Sequence, residues 1–242
     1  MTPPMASNKA TYPERGATAD SRVLPRPVKR AVRALGVRTV AFVTCGCVVA
    51  LGVLGVLDAT VGVPLPFYLD GEGGAPALFS AGLLVAGGAL AVLLGAGRLA
   101  PGGPVTWLAL AAFLAFMALD ELLGVHEALE RRTGIDWQLL YSPVVLVGGM
   151  AWLRALQALR RGHVVARRLL MGGAAAWLAA QILEDIQWTD GDRLVYPWMI
   201  VPEEMLEMTG SMLFGLAFFV LLKAAVGPVP PEERRPTAAE TT

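Results

Sequence analysis

Residues 105–123 read VTWLALAAFLAFMALDELL, an apolar run broken only near its end by Asp120 and Glu121. A helix of roughly 20 apolar residues, rising about 1.5 Å per residue, crosses the hydrocarbon core of a bilayer. Six runs of this kind occur in the chain, at about residues 39–57, 77–96, 105–123, 139–159, 169–188 and 199–222. The sequence therefore predicts an all-α, polytopic membrane protein, a bundle of six transmembrane helices with short connections.

Composition supports this class, since 55% of the 242 residues are hydrophobic and only 17% are charged. The flanking segments, residues 1–28 and 227–242, are rich in Pro, Thr and charge and predict disordered cytoplasmic tails around a transmembrane domain at 29–226. Within the first tail and just after it, Arg26, Lys29 and Arg30 predict a short juxtamembrane helix or a topology signal. The sequence contains no phosphate-binding loop or dinucleotide fingerprint, and we expect no nucleic-acid partner.

The charges predict an orientation. Of the 20 Lys and Arg residues, all but Arg131, Arg132 and Arg193 fall on the side of the amino terminus. Basic residues accumulate on the cytoplasmic side of membrane proteins, so both termini are predicted to be cytoplasmic, in a bacterial inner membrane. Aromatic residues are predicted to form a belt at the outer boundary: Tyr68, Trp137, Tyr141, Trp188, Tyr196 and Trp198.

Acidic residues and one histidine gather near that outer boundary on the third, fifth and sixth spans. They are Asp120, Glu121, His126, Glu127 and Glu130, then Glu184 and Asp185, then Glu203, Glu204 and Glu207. His126 is predicted to continue the helix of Asp120, which would place both on one face. A carboxylate near hydrocarbon costs a few kcal/mol unless it is paired, hydrated or bound to a cation. The three polar faces are therefore predicted to meet inside the bundle.

Purely structural roles are alternatives to a functional cluster for some of these acids. Pro202 is predicted to be the first residue of a helix, and the acids that follow it would be stabilised by the positive end of the helix dipole. Glu121 or Glu127 could pair with a nearby arginine, and Glu130 and Asp136 could reach the headgroups. Capping does not account for Asp120 and Glu184, which lie near helix carboxyl ends.

One histidine among several carboxylates suits Fe, Mn or Zn better than an all-oxygen calcium site. The predicted metal ligands are His126, Glu127, Glu184, Asp185, Glu203, Glu204 and Glu207, with Asp120 as a catalytic general base. The leading hypothesis is an outward-facing cation site, with a metal-dependent enzyme acting on a lipid-like substrate as its extension. The alternatives are a cation- or proton-coupled transporter and a non-catalytic scaffold or sensor. The sequence alone leaves open whether the protein is an enzyme.

Two motifs also carry a resemblance. Leu119-Asp120-Glu121 with His126-Glu127, and the run from Glu203 to Gly210, resemble a family of uncharacterised multi-pass bacterial membrane proteins. Members carry an LDE…HE element on one helix and an EE..LE..G element on the last. The resemblance covers the third to sixth spans and implies positions of interest without an activity.

Overall fold

The computed structural model describes residues 24–61, 74–160, 162–187 and 197–227, and these residues are helical with no strand. The helices are α1 (Arg26–Ala34), α2 (Val37–Val61), α3 (Ala75–Ala96), α4 (Pro104–Leu123), α5 (Val125–Thr133), α6 (Trp137–Ala158), α7 (Val164–Gln187) and α8 (Ile200–Val226), with a 3₁₀ turn at Pro197–Met199. Six of them, α2, α3, α4, α6, α7 and α8, are long and apolar enough to span a membrane. The prediction of an all-α bundle with six spans is confirmed.

Two helix starts differ from the predicted ones. The fifth span begins at Val164 instead of near residue 169, because the helix continues through Arg167 and Arg168 before it enters the apolar run. Helix α8 begins at Ile200, so Pro202 lies inside its first turn and not at its first position. Helix α1 begins at Arg26, inside the segment predicted as a tail. Residues 1–23 and 228–242 lie outside the described residues.

Helix α8 is the most buried of the six spans and packs against α2, α3 and α7, while α4 packs between α3 and α6. The main core lies among these helices and includes the edge-to-face pair of Trp107 and Phe218, whose ring centroids are 5.9 Å apart. Edge-to-face contact between two such large rings stabilises the packing of α4 against α8. The order of neighbours brings the end of α4, the start of α6, the end of α7 and the start of α8 to one end of the bundle, called here the carboxylate end.

Helices α7 and α8 cross at two glycines. A Cβ at Gly210 would lie 2.9 Å from the carbonyl oxygen of Gly173, and one at Gly173 would lie 3.0 Å from the carbonyl oxygen of Gly210. Small residues allow backbones to approach closely in membrane bundles. The indole of Trp177 lies beside this crossing and donates to the carbonyl oxygen of Glu207, at 3.1 Å.

The chain turns sharply after α4. Gly124 adopts a left-handed conformation, with φ of 55°, and separates α4 from α5. The prediction that His126 continues the helix of Asp120 is therefore wrong. A left-handed residue ends a helix at little cost when it is glycine, because no Cβ clashes with the following backbone.

Candidate functional site

Asp120 is the least exposed of the described acids at the carboxylate end, with 6% of its surface exposed. Its Oδ1 accepts hydrogen bonds from the Tyr141 hydroxyl at 2.7 Å and from the backbone N–H of His126 at 2.9 Å. The second of these bonds satisfies a free N–H in the first turn of α5, which the preceding Gly124 has no side chain to cap. Asp120 therefore joins three helices, α4, α5 and α6.

His126 is held by the same carboxylate. Its Nδ1 lies 2.9 Å from Oδ2 of Asp120, and since an ionised carboxylate only accepts, Nδ1 carries the hydrogen. The ring packs on Trp137, with centroids 5.2 Å apart, and about 30% of the side chain is exposed. No other described residue forms a hydrogen bond to Nε2 of His126. The ring is thus fixed through one nitrogen and presents the other.

The pKa of His126 reflects two opposing causes. Burial of the ring lowers this pKa, but the hydrogen bond that the ring donates to Asp120 and the charges of Asp120, Glu127 and Glu184 together raise it above the ordinary value of about 6.5. These surroundings therefore favour the protonated, positively charged ring.

Glu184 and Glu207 form the second part of the site, across the boundary between α7 and α8. The Glu184 carboxylate accepts from the Trp137 indole at 3.1 Å and from the Gln181 amide at 3.0 Å. The same Gln181 nitrogen lies 3.5 Å from Oε1 of Glu207. Within the described part of the chain, no Lys or Arg nitrogen comes within ion-pair distance of either carboxylate. Two acids thus share one neutral donor.

Further acids surround this pair. Glu207 lies within electrostatic range of Asp120, Glu121, Glu184 and Glu203, and His126 lies within range of Glu184. Acids from α4, α7 and α8 therefore lie within electrostatic range of one another. Glu121 of α4 is one of these acids.

Glu203 is nearly buried and accepts from the amide nitrogen of Gln187, at 2.5 Å. Gln187 is 3% exposed, and no described residue donates a hydrogen bond to its Oε1. A buried acceptor without a donor costs free energy, so this is a locally unsatisfied point beside the acids.

The remaining predicted ligands face outward or have other partners. Glu127 pairs with Arg131 at 2.6 Å, one turn along α5, on a partly exposed surface. Asp185 is exposed and accepts from the Gln138 amide at 3.0 Å. Glu204 is partly buried and also has a partner. Arg193, the other basic residue predicted on this side, lies outside the described residues.

No three His, Cys, Asp or Glu side chains among the described residues are close enough together to hold a metal ion as they stand. The seven predicted ligands are therefore separated: His126 is paired with Asp120, Glu184 and Glu207 share Gln181, and the other four are acids with partners of their own. Any metal would need a rearrangement of these side chains.

Sequence reasoning missed the contribution of α6. Trp137 and Tyr141 were assigned to an outer aromatic belt, but Tyr141 is 3% exposed and hydrogen-bonded to Asp120, so its assignment to the belt is wrong. Trp198 is 69% exposed, as a belt residue would be. The signal available in the sequence was spacing: Trp137, Gln138 and Tyr141 lie on the first turns of α6, next to the N-cap Asp136.

The fold and this network define a polytopic helical membrane protein with an internal histidine–carboxylate site at one end of its bundle. The chain belongs to the family described as Domain of unknown function (DUF8692), whose model matches residues 39–222. That range contains all six spans, apart from the ends of the first and last, and every site residue named above. No curated protein and no solved structure matches the chain.

Proposed function

We propose that this protein binds a divalent transition-metal cation at the carboxylate end, with His126, Glu184 and Glu207 as the groups that contact it. The observation that carries the proposal is the fixed ring of His126, whose Nδ1–H is held by Asp120 while Nε2 is left available. Histidines that ligate metals usually donate their other ring N–H to a carboxylate in this way. Fe, Mn and Zn are the candidate metals, since each accepts mixed nitrogen and oxygen ligands.

The carboxylates would supply the compensating charge. Glu184 and Glu207 lie at membrane depth with neutral donors between them, and such a pair must share a proton or bind a cation. Because no three ligands meet at present, binding would draw Glu184 and Glu207 away from Gln181 and toward Nε2 of His126.

This reading changes the role of Asp120. Three donors already occupy its two oxygens, so it is better suited to orient His126 than to abstract a proton. We therefore infer that Asp120 is a positioning residue and that His126, through its available Nε2, is the group that contacts the ligand.

Catalysis is a narrower extension of the proposal. A bound transition metal would activate water at neutral pH, which is the chemistry needed to hydrolyse an ester or amide. A lipid-like substrate has an approach in an apolar groove of about 260 Å³ between α2 and α8, lined by Val49, Gly52, Val53, Val56, Leu57, Val201 and Met205. The groove lies at the same level of α8 as Glu203 and Glu207, but the helical repeat places these two acids on the opposite face of α8 from Val201 and Met205, so a substrate would reach the acids around the start of this helix.

Proton binding is the second candidate, because Glu184 and Glu207 form a hydrogen-bonded arrangement that one shared proton would complete without any metal. A conduit through the membrane has less support. In the half of the described helices that lies away from the site, the buried polar side chain is that of Thr106. Its hydroxyl donates to the nearby carbonyl oxygen of Gly102 and is therefore already satisfied.

From the charge asymmetry we infer that the site faces the outside of a bacterial inner membrane.

Elemental analysis of detergent-purified protein tests the proposal. We expect near-stoichiometric Fe, Mn or Zn in the wild type and loss of most of it in His126→Ala and in Glu207→Gln. Glu130→Gln is the matched control, because Glu130 is an exposed acid of α5 outside the network and its loss should leave metal content unchanged.

A wild-type protein that binds none of these metals, even after dialysis against each, would contradict the metal proposal. Proton uptake by the same material, reduced in Glu184→Gln, would then support the second candidate.

A further inference from the structure

The end of the bundle opposite the carboxylates has a different charge. Its described basic residues are Arg26, Lys29, Arg30, Arg33, Arg38, Arg98, Arg154, Arg160, Arg167, Arg168 and Lys223. Every Asp and Glu among the described residues belongs to the other half of the helices. This basic end therefore has no carboxylate of its own, within the described ranges, to neutralise it.

Helix α1 lies across this basic end and does not span the bundle. Leu24, Val28 and Val32, spaced four residues apart, pack against the main core, and Leu24 and Val32 are buried. Arg26 and Arg30 lie on the opposite face and are exposed, as the helical repeat of 3.6 residues requires. The helix is thus attached by its apolar face and presents a basic one.

Two reciprocal contacts hold α1 in place. The guanidinium of Arg33 in α1 donates to the carbonyl oxygen of Val226, the last residue of α8, at 3.4 Å. In return, the ammonium of Lys223 in α8 donates to the carbonyl oxygens of Arg33, at 3.4 Å, and of Leu35, just after α1. Helix carboxyl ends carry unsatisfied carbonyls and partial negative charge, which a cation stabilises. Each helix end is therefore capped by the other helix.

We infer that the exposed face of α1 binds the phosphate headgroups of anionic phospholipid, with Arg26 and Arg30 as the contacting residues. Charge complementarity and position both lead to this occupant. A helix with a buried apolar face and a basic outer face, lying at the end of a transmembrane bundle, meets the headgroup layer of the bilayer. Because Arg33 and Lys223 are engaged in capping, the exposed charge of Arg26 and Arg30 remains available for the lipid.

The test measures binding of phosphatidylglycerol, with phosphatidylcholine of the same acyl chains as the neutral comparison, to delipidated full-length protein by native mass spectrometry. Attraction to an anionic surface is about 1 kcal/mol per basic residue, which is about fivefold in affinity. We expect Arg26→Gln to weaken phosphatidylglycerol binding about fivefold, and Arg26→Gln with Arg30→Gln about 30-fold. Phosphatidylcholine binding should not change.

Arg131→Gln with Arg132→Gln is the matched control, because it removes the same charge from two exposed arginines at the carboxylate end. An equal loss in this control, or no loss in the α1 variant with unchanged thermal stability, would overturn the inference. Displacement of the lipid by inorganic phosphate at comparable concentration would also overturn it, since the surface would then be a simple anion site. Metal content plays no part in these readouts, so the result is independent of the proposed cation site.

Discussion

Asp120 shows how one side chain can define a site without reacting. It caps the first turn of α5, fixes the ring of His126 and accepts from Tyr141, all from within the last turn of α4. A carboxylate near hydrocarbon is retained only where such partners offset its desolvation. The same bonds that make Asp120 tolerable in the membrane also orient the histidine.

Replacing Tyr141 with Phe tests this network at the level of one hydroxyl. Phe retains the ring contacts with Phe116 and Trp137, at 4.9 Å and 5.6 Å between centroids, and removes only the donor to Asp120. A hydrogen bond to a charged group contributes about 1.5–3 kcal/mol, so we expect the free energy of unfolding to fall by about that amount. Reversible unfolding in mixed micelles, followed by circular dichroism, measures it.

Thr60→Val is the control for this prediction, because the Thr60 hydroxyl is exposed and donates only within its own helix. We expect a change near zero there. Equal effects of the two substitutions would mean that the Tyr141 hydroxyl makes no specific contribution.

The raised pKa of His126 predicts a pH dependence with a definite sign. A group whose folded pKa lies above its unfolded value stabilises the fold fully below the unfolded pKa, and this contribution is lost as pH rises through the folded pKa. We expect the stability difference between the wild type and His126→Gln to be largest below about pH 6.5, the ordinary value, and to shrink above the raised pKa. Unfolding measured in chelator-treated buffer at several pH values checks this, and a difference that grows with pH would contradict it.

At the scale of the helix, the six spans could be predicted because length and apolar composition alone determine them. The break at Gly124 could not, since a glycine after an apolar run is compatible with a continuing helix and with a left-handed turn. The contribution of α6 was also hidden. Trp137 and Tyr141 stand where an interfacial belt is expected, and only tertiary packing distinguishes a lipid-facing ring from one that donates inward.

The crossing of α7 and α8 at Gly210 lies about one helical turn from Glu207. Adding a single methyl group at Gly210 tests whether this close packing stabilises the fold. A Cβ at Gly210 would meet Cδ1 of Trp177 at 2.3 Å and the Gly173 carbonyl at 2.9 Å, and a backbone atom cannot yield easily. We expect Gly210→Ala to lower the free energy of unfolding by about 1–3 kcal/mol, as overpacking does. It should also shift the fluorescence of Trp177, whose indole donates to Glu207 and Ser211.

Gly215→Ala, five residues further along α8, is the matched control. A Cβ there would meet nothing within 4 Å, and alanine favours the helix by up to about 1 kcal/mol over glycine. This variant should be neutral or stabilising, and a comparable loss of stability in both would refute the packing argument.

At the scale of the whole molecule, the separation of charge predicts how the bundle sits in the membrane. Single cysteines at Glu130 and at Arg160, both exposed and at opposite ends, can report it in a background in which Cys45 and Cys47 are replaced by Ala. We expect a membrane-impermeant maleimide added to intact cells, with the outer membrane permeabilised, to label the first position and spare the second. The reverse pattern would place the acids in the cytoplasm and remove the inferred localisation.

The arrangement of helices has a consequence for how the site could respond to its surroundings. Helices α6 and α7 share few close contacts along their length, yet Trp137, Gln138, Gln181 and Glu184 tie them together at the carboxylate end. His126 and Asp120 therefore stand on one side of a narrow seam, and Glu184 and Glu207 on the other. Because helices tilt to match the thickness of the surrounding bilayer, we expect lipid of different chain length to change the separation of the two sides of this seam.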